Sequence, residues 1–191
     1  MTARAELELL AFAVAGWFLK PRTPPGARVF THHQEVGWST TAAVFAALVL
    51  VEGTLVHVWL SHTGLVALTW SAFALHVVVL VWIVGDAHAL RLRRSYLVAS
   101  ADGTTATLEL RVGARARGTF PLTSIAEVST GEWATAAPGE RSVAVSGPAN
   151  VKIAFRHPVE LKCLLAAPVA IQGLLLQVDE PQRFARALTD R

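Results

Sequence analysis

The stretch AAVFAALVLVEGTLVHVWLSHTGLVALTWSAFALHVVVLVWIV, residues 42–84, decides how the chain is to be read. From Thr40 to Val84 there is no Lys or Arg, and Glu52 is the only acid. Two apolar runs, about 42–60 and 65–84, are separated only by SHTG. A helix needs about 20 apolar residues to cross the hydrocarbon of a bilayer. Both runs meet that length, and so short a loop makes them an antiparallel hairpin. Lys20, Arg22 and Arg28 precede the hairpin, Arg91, Arg93 and Arg94 follow it, and the loop carries neither Lys nor Arg. The positive-inside rule therefore places both flanks in the cytoplasm.

Composition agrees with a membrane protein. Of 191 residues, 53% are apolar and 16% charged, against roughly 25% charged in a typical soluble chain. The single cysteine, Cys163, rules out an intrachain disulfide and a cysteine-based zinc cluster. A formal charge of +3, with no basic run interleaved with aromatics, argues against nucleic acid as a partner. Upstream of the hairpin, ELELLAFAVAGWFL (residues 6–19) is too short for a comfortable span and ends at Lys20-Pro21. It reads as a helix lying on the membrane, with a short tilted span as the alternative. KPRTPPGAR then forms an extended connector, so residues 1–39 make one unit and 40–94 the hairpin.

From Tyr96 the periodicity changes to two. TATLELRV, ARARGTFPL, SIAEV, SVAVS, VKIAF, ELKCLL and AIQGLLLQV are short runs divided by Gly and Pro punctuation, giving about seven strands over residues 95–191. His157-Pro158 reads as a turn. The last segment, VDEPQRFARAL, returns to helical spacing, with Asp179 or Glu180 as cap, Pro181 at the first helical position and Phe184 and Leu188 on one face. The expected fold is an α-helical hairpin followed by a curled antiparallel sheet closed by a C-terminal helix.

Two spans, an Arg-rich exit and a final D-x-P-x-x-F-x-x-A-L helix resemble bacterial membrane proteins with a pleckstrin-homology-like (PH-like) domain. Gly113–Val128, G-x-x-x-R-G-T-F-P-L-T-S-I-A-E-V, is similar to their strand-turn-strand pattern, and the resemblance covers roughly residues 40–190. It implies a bacterial inner-membrane protein whose N-terminus and C-terminal domain are cytoplasmic, and a binding or scaffolding platform. It carries no catalytic signature. Arg outnumbers Lys fourteen to three, in keeping with a GC-rich bacterial source.

Within the hairpin, Glu52 and His76 lie at depths differing by only about 3 Å at 1.5 Å per residue. They are expected to hydrogen-bond across it, with His57 on the other shoulder of a stripe of small residues, Ala42, Ala46 and Gly53. Such groups either hold helices together or mark an ion, proton or cofactor site. His57 and His76 differ in depth by about 10 Å, which argues against one haem bound within one chain. His32-His33 reads as solvated surface. In the β domain, Arg111, Arg115 and Arg117 flank the turn at Gly113, and the last two share a strand face. Some lipid-binding PH domains use such a first-hairpin basic cluster to hold phosphorylated headgroups. They form the expected surface for anionic lipid or a partner.

No G-x-S-x-G, H-E-x-x-H or phosphate loop occurs, so no catalytic residue, metal ligand or cofactor is assigned. The expected function is a membrane-tethered, non-enzymatic binding or assembly module that engages lipid headgroups, a protein partner or itself. The alternative is an intramembrane transport or metal- or haem-binding protein built on Glu52, His57 and His76.

Overall fold

A computed structural model describes residues 10–32, 34, 37–99, 106–163 and 167–189. Helix α1 runs Trp38–Ser61 and helix α2 Val66–Leu92. Both are long and apolar enough to cross a membrane. Their outer surfaces expose large apolar side chains, among them Leu55 (65%), Trp59 (67%) and Leu75 (63%). An exposed apolar belt of this extent is what a lipid-facing hairpin requires. Close approach of the two helices depends on Gly53, where a Cβ would lie 2.9 Å from the His76 ring.

Helix α2 extends eight residues beyond the expected end of the span. Gly85, Asp86, His88, Ala89, Leu90 and Leu92 in this extension are buried. The extension is amphipathic where the span proper is apolar all round, so it needs a protein surface to cover it. That surface is the β domain, whose core includes Leu90.

The domain has eight strands among the described residues: β1 Arg28–Phe30, β2 Ser95–Ala99, β3 Ala106–Val112, β4 Ala116–Pro121, β5 Ile125–Trp133, β6 Glu140–Ser142, β7 Ala149–Cys163 and β8 Val169–Leu176. One sheet runs β1-β2-β3-β4 onto the C-terminal half of β7; the other places β5 and β8 on either side of β7, with β6 beyond β8. VKIAF and ELKCLL, expected as two strands, are one continuous strand. His157-Pro158 is not a turn; it lies where the β7–β8 register shifts between Ala154 and Val159, and such a bulge bends the strand so that it serves both sheets. The β6–β8 pair is parallel, in a sheet expected to be wholly antiparallel.

Helix α3, Pro181–Thr189, closes the domain as the sequence predicts, burying Phe184, Ala187 and Leu188. Phe184 meets Phe30 edge-on, ring centroids 4.9 Å apart. Phe30 lies two residues past the KPRTPPGAR connector, so the end of that connector runs into an edge strand that carries a core aromatic. Asp179 anchors the same region: its Oδ1 accepts the Gln34 amide at 2.9 Å, and its own N–H donates to Thr31.

Residues 10–15 are helical and lie beside the end of α2. Arg91 Nη2 donates to the Gly16 carbonyl at 2.6 Å, Arg93 sits over the Phe12 ring, and Trp17 meets His88 edge-on. Leu10, Val14, Trp17 and Phe18 remain exposed, giving this segment an apolar side at the level where α2 leaves its apolar stretch. Residues 6–9 of the expected interfacial helix lie outside the described residues.

Candidate functional site

The three polar residues expected within the membrane, Glu52, His57 and His76, are not gathered. Gly53, rather than Glu52, faces α2, and one residue is about 100° around a helix. Glu52 consequently points outward and is exposed, with no hydrogen bond or ion pair among the described residues. His76 Nδ1 donates instead to the Ala72 carbonyl one turn back, at 2.7 Å. His57 packs against Trp70 and Phe73 with ring centroids 5.9 and 5.4 Å away, and its buried Nδ1 has no hydrogen-bond partner. Depth arithmetic matched Glu52 to His76, but the azimuth does not. Among the described residues no group of three or more His, Cys, Asp or Glu side chains could hold a metal ion.

His32, expected at the surface, is buried at 1% exposure. Its Nδ1 is 2.7 Å from the Gln177 carbonyl, which only accepts, so Nδ1 carries a proton. Nε2 is 2.8 Å from Ser95 Oγ, which also accepts the Arg111 N–H at 3.1 Å. This histidine therefore ties β1 to β2 and to the strand end after β8. His33 lies outside the described residues.

The expected basic trio is divided by the fold. Arg115 sits in the 113–115 turn rather than on a strand, and it turns inward to α2. Its Nε and Nη2 donate to Asp86 Oδ1 and Oδ2 at 3.2 and 2.6 Å, a two-pronged ion pair. Nη1 donates to the Val145 carbonyl at 2.8 Å, and the guanidinium lies 5.0 Å from the Trp38 ring centre. The side chain of Asp86 is 6% exposed and that of Arg115 28%. Gly113 permits the approach: its φ is +54°, and a Cβ there would lie 2.9 Å from Leu90. Arg115 is thus the fastener between hairpin and domain.

Arg111 and Arg117 do share a surface, with a different third member. Arg111 is directly opposite Arg117 across β3 and β4, and Arg117 is directly opposite Lys162 across β4 and β7. Three cations in register across three strands repel one another. They line a groove of about 540 Å³ together with Arg93, the first residue after α2, and with Glu109, Thr119 and Glu160. Arg111 pairs with Glu109 at 3.1 Å and Lys162 with Glu160 at 3.4 Å. Both pairs are solvent-exposed, and such pairs contribute only about 0–1 kcal/mol. Arg117, in the middle, has no ion pair among the described residues. The groove therefore presents uncompensated positive charge on a rigid sheet, the arrangement that receives an anionic oxygen cluster.

Lys152 meets Glu140 at 2.6 Å, and this hydrogen bond holds the Glu140 carboxyl below the usual carboxylate range. Trp133 ends β5 and lines a small hollow with Glu127, Ser129, Lys152 and Ala154. Sequence reasoning missed Lys162, because nothing local marks it; only the β4–β7 pairing puts it beside Arg117. Comparison with protein-family models, with curated proteins and with solved structures finds no match.

Proposed function

We propose that this chain is a membrane-tethered, non-enzymatic binding module whose β domain, PH-like in design, engages anionic phospholipid headgroups or a protein partner on the cytoplasmic side of a bacterial inner membrane. The observation that carries the reading is the in-register row Arg111–Arg117–Lys162 beside Arg93, at the foot of a helix long enough to span the bilayer. A surface that sets three cations in register, with exposed acids beside only the outer two and none beside Arg117, is organised for an external anion. Near an anionic leaflet each such residue adds about 1 kcal/mol.

The test uses the full-length protein in neutral detergent, titrated with short-chain phosphatidylglycerol or phosphatidylcholine. Binding of the anionic lipid is expected to be preferred at 0.1 M salt and lost at 1 M, as the Debye length falls from about 10 to about 3 Å. Arg117→Glu with Lys162→Glu is expected to remove the preference. Equal binding of the two lipids, or no effect of the double reversal, ends the headgroup reading. The protein-partner reading then stands alone, to be pursued by crosslinking from the groove in cells.

A further inference from the structure

The outer side of α1 carries a polar group at the middle of its apolar length. Glu52 lies nine residues before Ser61, about 13 Å along the axis in a hydrocarbon core about 30 Å thick. A carboxyl group there, facing lipid, is costly in its charged form and still needs hydrogen bonds in its neutral form. The chain's own hairpin does not supply them, since α2 lies on the Gly53 side. Other outward polar groups of the two helices are spent or at the wrong depth. Thr54 donates to the Leu50 carbonyl at 2.7 Å. Ser71 is five residues into α2, about 7 Å from its start.

Around Glu52 the surface is continuous. Phe45, Leu48, Leu55 and Trp59 stand at spacings of seven, four, three and seven residues from it, which puts all five on one helix face. Their exposures are 50, 57, 65 and 67%. We propose that this stripe is a self-association face, joining two copies about a two-fold axis along the membrane normal, with the two Glu52 carboxyl groups hydrogen-bonded to each other. Copies inserted with the same topology bring identical residues to the same depth, and a two-fold axis makes the contact isologous. A neutral carboxylic acid carries one donor and free acceptor capacity, so each Glu52 supplies what the other lacks. Leu48 and Leu55 flank the pair and keep lipid from it. The inference rests on α1 spanning the bilayer and is independent of the basic groove.

The test is disulfide crosslinking of the full-length chain in native membranes, in a Cys163→Ala background. Leu48→Cys and Leu55→Cys are expected to give dimers of twice the chain's mass, and Leu50→Cys, exposed but at least about 140° away on the helix, to give few. Adding Glu52→Leu is expected to lower the dimer yield about fivefold, the size of one interhelical hydrogen bond. Glu52→Gln, whose amide still donates and accepts, is expected to retain it. Four results would each overturn the proposal: no dimer at Leu48 or Leu55, equal yield at Leu50, an unchanged yield with Glu52→Leu, or a crosslinked product containing a different protein.

Discussion

Replacing Asp86 by Ala removes the acceptor for two of the three hydrogen bonds of Arg115 and leaves the guanidinium facing Trp38 and the Val145 carbonyl. Breaking a fully buried pair costs about 3–5 kcal/mol. Asp86 meets that description, but Arg115 is 28% exposed and regains some water. The expected loss is accordingly about 2–3 kcal/mol, the lower part of that range and below. Arg115→Met is expected to cost at least as much, because it strands the more deeply buried carboxylate. The double variant Asp86→Leu, Arg115→Met is expected to recover a large part of the loss, since neither charge is left unpaired. Unfolding of the full chain in detergent measures the cycle. A local readout accompanies it: Cys163 pairs in register with Ala116, the residue after Arg115. Loosening of the fastener is expected to speed maleimide labelling of this half-buried thiol below the unfolding transition. If Asp86→Ala costs less than about 0.5 kcal/mol, or the two losses simply add, the ion pair does not join hairpin to domain and the reasoning fails.

Two further outcomes follow from close contacts. Gly53→Ala places a methyl group 2.9 Å from the His76 ring, and forcing such an overlap costs about 1–3 kcal/mol; unfolding in detergent is expected to show a loss of that size. Glu140 has a folded-state pKa below its unfolded value, so its pairing with Lys152 contributes stability above the unfolded pKa, about 4.3, and loses it as pH falls through the lower folded value. Glu140→Gln is expected to flatten the stability profile in that acid window and to leave its shape above pH 5 unchanged; a profile as steep as the parent's would show that the pair does not contribute.

The hairpin was legible because its signal is local: two apolar runs, one short loop and a charge-free interval. The closing helix was legible for the same reason, with Pro181 at its start and Phe184 and Leu188 one turn apart. Residues whose roles depend on distant neighbours were read less well. Arg28–Phe30 is three residues long, too short to show alternation beside a proline-rich connector, yet it pairs with β2 and buries Phe30. Arg115 was assigned to a strand face by counting in twos from Arg117, and the turn at Gly113 breaks that count. Asp86 stands two residues past the expected end of the span, but the helix continues beyond the apolar stretch and the carboxylate is used by the domain. Lys162 entered the candidate site only through a pairing 45 residues distant in sequence. For Glu52 and His76, depth along an axis is readable from residue counts, whereas rotation about it depends on which neighbour is small enough to sit at the contact.

Because α2 runs without interruption from the apolar belt into the core of the domain, the domain's attitude to the bilayer is set by helical phase. There is no hinge between Val84 and Asp86 to absorb a change. One residue inserted there would turn everything beyond it, the domain included, by about 100° and advance it by about 1.5 Å, carrying Arg115 away from Trp38 of α1. The basic groove is therefore aimed as a rudder is aimed by its shaft. In the membrane-tethered arrangement proposed above, any tilt or rotation of α2, whether from bilayer thickness or from a neighbouring helix, becomes a change in which part of the sheet meets the membrane surface.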